Sequence, residues 1–505
     1  MIFSSYQFIL IFLPLTYMGF LIAHRLGGWP AAIQFLAAAS LVFYGFWGIQ
    51  LLCVLAGSIL FNYAASNVIG CLGAHPKAAR NALLAGIGVN LGILGYLKYT
   101  NFFVDVANQV TGLGLGHHDL LVPVGVSFFT FIQIGYLVDT YNGQLLPTSL
   151  SRYIVFAAFF PCVTAGPLIM QREVMEQLQD RRDPAFDVRR LVTGMTMFGM
   201  GLFKKVVFAD SIAPFANTVF DGVAAGGPVD PLTSWIGATC YALQLYFDFS
   251  GYSDMAIGLG FIFGLRLPLN FDSPFKATNI SDFWRRWHIT MTRYFTNYIF
   301  SGLAMRGMRA SAHHRSTPFG KFARTAGIPV IATFLVAGVW HGAGWNMLAY
   351  GLIHGIAIAI CLGWREFGPG KLPAPVCWAL TMSVVISALV VFRAPDLEAA
   401  GTILGNMWGL SSFGLVASAT AAGLDVGRSI SMIVLLGAIV LLLPNTQQIL
   451  HKEWLSSDSK PPGTGLEAGL LAWRPALAGA AAIGIAYTIA LTSIGSGSMF
   501  LYYQF

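Results

Sequence analysis

Apolar runs close to the length of a membrane span recur from one end of the chain to the other, and they limit the folds open to it. They cover residues 8–23, 31–50, 51–69, 83–96, 120–138, 153–170, 191–208, 232–247, 329–340, 347–362, 376–392, 432–443 and 470–491. A spanning helix needs about 20 residues. Several runs are therefore complete spans, and the shorter ones read as re-entrant or buried in protein. This window reasoning gives about 11 to 13 membrane-embedded helices. A soluble core of this size would need a charged shell, yet only 10% of the 505 residues are charged and 56% are hydrophobic. Roughly a quarter charged is ordinary for soluble domains. The expected fold class is an all-α polytopic integral membrane protein.

The charges that remain report topology. No basic residue precedes the run 8–23, and the first, Arg25, follows it. A cleavable signal peptide would open with a positive segment, so this run reads as retained, with its start outside and its end in the cytosol. The net charge of +7 fits an excess of cytosolic arginine and lysine better than nucleic-acid binding. One basic collection is Arg306, Arg309, Arg315, Lys321 and Arg324, and a second is Arg172, Arg181, Arg182, Arg189 and Arg190. Both are expected in the cytosol, contacting lipid headgroups or docking an anionic substrate. The six cysteines lie in or beside apolar stretches without a CxxC pair, which reads as buried small hydrophobes rather than a disulfide or metal framework.

The chain reads as a single membrane domain over residues 1–505, with polar connections at 171–190, 306–324 and 450–467. No repeat of 20–50 residues and no pair of similar halves is visible, which disfavours a transporter built from internal repeats. The segment from about 240 to 355 differs from its flanks. Between 246 and 298 polar and apolar residues mix, and Pro268 and Pro274 break the pattern, so this stretch needs protein or water partners inside the bundle. Asn279, Ser281 and Asp282 are N-cap candidates for a helix carrying Trp284 to Tyr298. Helical spacing would put Arg285, His288 and Thr292 on one face.

Chemistry concentrates in that segment. His341 lies late in an apolar run, within GVWHGAGWN, where an ionisable side chain is a functional candidate. Imidazole can take a proton from a hydroxyl or thiol, and the flanking glycines would allow close approach of backbone and substrate. A histidine satisfied by a neighbouring helix is the competing reading, and for His354 it is the favoured one. His288 follows Trp284-Arg285-Arg286-Trp287, which could be an interface belt or could bind a phosphate or carbonyl. Asp248 and Asp254, around Ser250 in FDFSGYSD, need partners once buried, and an arginine of the 284–288 group is the expected one. GYSDM departs from GxSxG in its last residue, and neither HExxH nor a Walker A motif is present. His117-His118-Asp119 reads as an exposed loop.

The blocks YFDFSGYSDMAIG and WRRWHIT, with GYLKYTNFF, VPVGVSFFTFIQIGYLVDTY, GLFKKVVFAD and GVWHGAGWN, resemble the membrane-bound O-acyltransferase family, in its bacterial polysaccharide O-acetylation branch. The resemblance runs nearly end to end. It implies an enzyme whose helices surround a central tunnel open to both membrane sides, in a bacterial inner membrane. His341 would be catalytic and His288 the second functional histidine, with His288 or Arg285 steadying the carbonyl oxygen. Asp248, Ser250, Asp254, Trp284, Arg285, Arg286, Trp340 and Asn346 would line the substrate path. The implied acyl donor is cytosolic acetyl-CoA, with no bound cofactor and no metal. The implied partners are a periplasmic or extracellular acetyltransferase, a polysaccharide acceptor such as alginate or cellulose, and membrane lipid.

Asn297 stands where this family commonly has an aspartate, which leaves the acceptor open. The C-terminal FLYYQF resembles the tail of small partner peptides in the D-alanyl branch. Tyr502 is accordingly a candidate acyl relay, against the plainer reading of an aromatic interface anchor. Acyl transfer to teichoic acid, peptidoglycan or lipid, and a carrier without chemistry, are the alternatives.

Overall fold

The computed structural model describes the chain apart from residues 145–147, 180–185, 314–316, 411–422, 451–476, 496–498 and 505, and only the backbone at 313, 477, 478, 502 and 504. The polar connection 450–467 falls, from 451 on, outside the described residues, as do Arg181, Arg182 and Arg315. Helices and no strands occur among the described residues. Seven of them are long and apolar enough to cross a membrane: Gln7–Gly45, Ile49–Ala74, Pro76–Thr111, Val188–Ala224, Pro318–His341, Trp345–Phe367 and Ala374–Arg393. Val426–Leu442 and Gly479–Thr492 are shorter apolar helices. The chain is an all-α, multi-pass membrane protein. The 306–324 connection is largely helical, formed by Ser301–His313 and Pro318–Phe322.

The chain forms two compact units. The first comprises Met1–Leu202, Tyr252–Leu269 and Ile494–Phe505. It holds α1 (Leu13–Gly45), α2 (Ile49–Cys71), α3 (Pro76–Leu94), α4 (Thr100–Thr111), α5 (Val126–Tyr141), α6 (Leu150–Ala158), α7 (Gln171–Val174) and nearly all of α8 (Val188–Phe203). Gly27 and Gly28 leave helical geometry inside α1, with φ +67° at Gly28, so the runs 8–23 and 31–50 fall on separate arms. Phe3, Phe8, Phe43 and Phe160 pack together in its core, with Phe3–Phe8 at 4.8 Å and Phe43–Phe160 at 5.6 Å between ring centroids. Polar side chains on the same helices are bonded to each other. Asn62 donates to Asn90 at 3.0 Å and Asn90 donates back at 2.7 Å, tying α2 to α3. Gln133 of α5 donates to Ser58 of α2 at 2.9 Å and accepts from Tyr153 of α6 at 3.3 Å. Bonds of this kind hold membrane helices together by about 0.6–2 kcal/mol each.

The second unit comprises Phe203–Gly251 and Asn270–Ser493. Its helices are α9 (Asp210–Ala224), the part of α10 (Pro231–Ile262) up to Gly251, α11 (Ile280–Arg286), α12 (Ile289–Phe295), α13 (Ser301–His313), α14 (Pro318–Phe322), α15 (Ile328–His341), α16 (Trp345–Phe367), α17 (Ala374–Arg393), α18 (Leu397–Met407) and α19 (Val426–Leu442). The hairpin of α15 and α16 positions His341, and small residues set its spacing. A Cβ on Gly338 would stand 2.3 Å from the Met347 carbonyl oxygen, and one on Gly351 would stand 2.3 Å from that of Phe334. Gly338 thus serves helix packing, where the sequence suggested room for substrate. Of the cysteines, Cys162 and Cys240 are buried, whereas Cys53 and Cys71 are exposed. Burial fails for the latter pair because they lie on apolar helix surfaces, where a small thiol suits lipid as well as a core.

Gly351→Ala should lower the melting temperature of the detergent-solubilised protein by several degrees, from an overpacking cost of about 1–3 kcal/mol. Gly57→Ala, whose Cβ meets nothing within 4 Å, should cause no fall in the same measurement.

Candidate active site

His288 is set by a break between two short helices. Asn279 caps α11, its side chain accepting from the Asp282 N–H at 2.9 Å. The helix stops at Arg286, and His288 takes left-handed geometry, φ 44° and ψ 51°, before α12 begins. The expected continuous helix from Trp284 to Tyr298 is therefore interrupted, and Arg285, His288 and Thr292 do not share a face. Left-handed backbone costs a non-glycine residue about 1–3 kcal/mol, and Asn270 offsets it. The Asn270 Oδ1 atom lies 3.0 Å from His288 Nδ1 and accepts from the Thr290 hydroxyl at 2.9 Å and the Thr290 N–H at 3.3 Å. The Asn270 carbonyl also accepts from the Ile289 N–H at 3.0 Å.

A backbone N–H can only donate, so the shared atom of Asn270 is its amide oxygen, and Nδ1 of His288 carries the hydrogen. Burial pushes the His288 pKa down to about 3, because the charged ring would lose its solvation. The ring is neutral and its Nε2 is an acceptor. A neutral ring of this tautomer cannot steady a carbonyl oxygen, which corrects that part of the expectation.

His341 closes α15, and the Trp340 ring neighbours both imidazoles. Ring centroids are 6.1 Å apart for His288 and Trp340 and 4.9 Å for Trp340 and His341. Both histidines are buried. The surrounding walls are aromatic: Phe249 lies 4.7 Å from His288, and Phe392 and Tyr350 lie 5.3 and 5.8 Å from His341. His354 has the plainer role. Its Nδ1 accepts from Trp284 Nε1 at 3.2 Å, and its ring meets Tyr350 edge-on at 4.7 Å.

The other expected site residues divide. Trp284 and Trp287 are buried rather than forming an interface belt. Arg286 donates to Asp282 at 2.9 Å, and Arg285, 69% exposed, pairs with Asp282 at 3.0 Å. The structure therefore does not bring Arg285 to His288. Asp248 has Lys205 at 2.7 Å as an ionic partner, where an arginine of the 284–288 group was expected, and Lys205 also contacts Asp210 at 2.8 Å. Lys205 was legible by the rule applied to Asp248, an ionisable group in an apolar helix. Asn270, set in LPLNFDS, gave no such signal.

Ser250 is buried in the second unit, and Asp254 is buried in the first. Asn346 donates to the Ala394 carbonyl at 2.9 Å, anchoring the start of α16. The side chain of Tyr502 lies outside the described residues. Its neighbours are fixed: Phe500 packs 4.6 Å from the Tyr252 ring, and the Tyr503 and Tyr252 hydroxyls bond Thr164 at 3.0 and 2.7 Å.

Lys205→Met would remove a cation bonded to the buried Asp248 carboxylate, and loss of one partner of a buried pair costs about 3–5 kcal/mol. Its melting temperature should fall sharply, and adding Asp248→Leu to the same variant should recover part of the loss.

Comparison with known proteins accords with this geometry. The model of the membrane-bound O-acyltransferase family matches residues 137–397. A peptidoglycan O-acetyltransferase of Helicobacter pylori is 36% identical over 446 residues, covering 82% of this chain and 81% of its own. A probable alginate O-acetylase of Pseudomonas aeruginosa is 36% identical over 437 residues, covering 85% and 79%. A teichoic acid D-alanyltransferase of Bacillus subtilis is 28% identical over 276 residues, covering 54% and 67%. With two buried histidines inside the matched region and relatives similar along most of their length, this chain belongs to the membrane-bound O-acyltransferase family and is an O-acyltransferase.

Proposed function

We propose that the enzyme takes acetyl from cytosolic acetyl-CoA and passes it across the bacterial inner membrane for O-acetylation of a polysaccharide. The observation that carries this reading is the burial of His288 and His341 with the Trp340 ring as a shared neighbour. The O-acetylating relatives align over about four-fifths of this chain and the D-alanylating one over about half, which favours acetyl over D-alanyl. An exopolysaccharide is the preferred acceptor, finished by a periplasmic or extracellular partner, with peptidoglycan the second.

The chemistry requires one base and one path for its proton. His341 takes the proton from the acceptor hydroxyl as its oxygen attacks the thioester carbonyl. The carbon–oxygen bond forms, the carbon–sulfur bond breaks, and the imidazolium returns the proton to the departing thiolate. His288, neutral with Nε2 as an acceptor, holds the acceptor by taking a hydrogen bond from a second, neighbouring hydroxyl of the sugar. Aromatic walls exclude water, which would otherwise hydrolyse the thioester.

Wild type, His341→Ala and His288→Ala should be expressed at matched membrane levels and acetate esters measured on secreted polymer and on peptidoglycan. Removing a general base typically costs about 10²–10⁴-fold, so His341→Ala should abolish acetylation while polymer is still secreted. Full acetylation by His341→Ala would sink the catalytic role and return the carrier reading. For sidedness, labelled acetyl-CoA should support transfer when presented to the cytosolic face of vesicles and fail at the other face.

A further inference from the structure

α10 carries polar groups that the two histidines do not use. The Tyr241 hydroxyl and the Gln244 Oε1 atom have no hydrogen-bond partner among the described residues, and both residues are buried, at 0% and 6% exposure. At about 100° per residue, Ser234, Tyr241, Gln244 and Asp248 fall within an arc of about 80°, so they share one face of the helix. A buried polar atom left unpaired is costly, because it has lost its water and gained nothing in exchange. Native folds keep few of them without a reason.

The setting of this face limits what it can bind. Lys205 is shared between Asp248 and Asp210 at 2.7 and 2.8 Å, so its charge is engaged within the chain rather than offered to an anionic ligand. The Tyr241 hydroxyl lies within electrostatic reach of the Arg393 guanidinium and the Tyr350 hydroxyl. Arg393 sits 5.5 Å over the Phe220 ring, which is 5.6 Å from that of Tyr241. Tyr350 and Phe392, the residue before Arg393, are the rings that wall His341. The Tyr241 hydroxyl is therefore near the walls of the His341 site within the same unit, and Gln244 lies on the same face of α10.

We propose that Tyr241 and Gln244 form a binding subsite beside His341 for an uncharged group that both donates and accepts a hydrogen bond. A hydroxyl or an amide meets that description: the Tyr241 hydroxyl gives a hydrogen bond to its oxygen, and Gln244 Oε1 takes one from its O–H or N–H. The hydroxyl would come from the acyl acceptor, the amide from the pantetheine arm of the donor. This inference rests on the acyl-transfer reading above. It makes these two residues positioning groups that bind substrate without taking part in proton transfer.

Tyr241→Phe and Gln244→Leu should be made in the full chain. Melting temperature should be measured on the purified protein, initial rate against acetyl-CoA concentration in membrane vesicles, and acetate ester on polymer in cells. Each variant should melt at or above the wild-type temperature, because an unpaired buried group has been removed. Each should also lose about tenfold in transfer, the worth of one hydrogen bond. A tenfold rise in KM for acetyl-CoA with kcat kept places the bound group on the donor. A tenfold fall in ester at saturating acetyl-CoA, with that KM unchanged, places it on the acceptor. Wild-type kinetics in both variants, or activity loss accompanied by a lowered melting temperature, would overturn the subsite. If wild type does not respond to acetyl-CoA, the donor assignment fails alone, and ester yield in cells still decides the subsite.

Discussion

Hydrocarbon offers no hydrogen bonds, so a polar group carried into the membrane interior must be met by another part of the chain. The functional side chains are held by this constraint. Asn62 and Asn90 satisfy each other across α2 and α3, and Lys205 holds Asp248 and Asp210. Asn270 does most for the site, since its amide oxygen holds the His288 ring and the Thr290 hydroxyl and N–H at once. The left-handed turn at His288 persists because those bonds outweigh its strain, and the tautomer of the ring follows from them.

A second constraint is contact distance. Apolar side chains gain little by leaving lipid for another helix, so membrane helices associate through close van der Waals packing and need small residues at the seam. Gly338 and Gly351 meet backbone to backbone between α15 and α16. That crossing fixes the end of α15, where Trp340 and His341 stand, against Tyr350 on α16. Gly338, which the sequence offered as room for substrate, instead holds the two helices together. In the mechanism proposed above such close packing matters, because a proton-transfer base has to sit within hydrogen-bond reach of its substrate.

Much of the fold was legible in the sequence. Apolar runs and sparse charge predicted a multi-pass helical protein, and the rule that an ionisable residue in a membrane segment needs a function pointed to His341. Asn279 was found as a helix cap from residue type alone. Two expectations failed for different reasons. Arg285 was grouped with His288 by helical spacing, and a single left-handed residue cancels that periodicity. Asp248 was given an arginine of the 284–288 group, which is about as distant in sequence as Lys205, so sequence separation could not choose between them.

What the sequence by itself determined is the solvent. A chain with so few charges and so many long apolar runs has to fold in a bilayer, with its rare polar residues turned inward. The tertiary structure decided which of those polar residues meet: Lys205 with Asp248, Asn270 with His288, Trp284 with His354. It also left the Tyr241 hydroxyl and the Gln244 Oε1 atom on α10 without a hydrogen bond among the described residues. Burial depends on the free energy of transferring each residue, which composition records. Partnership depends on where distant segments are brought together, and only packing fixes that.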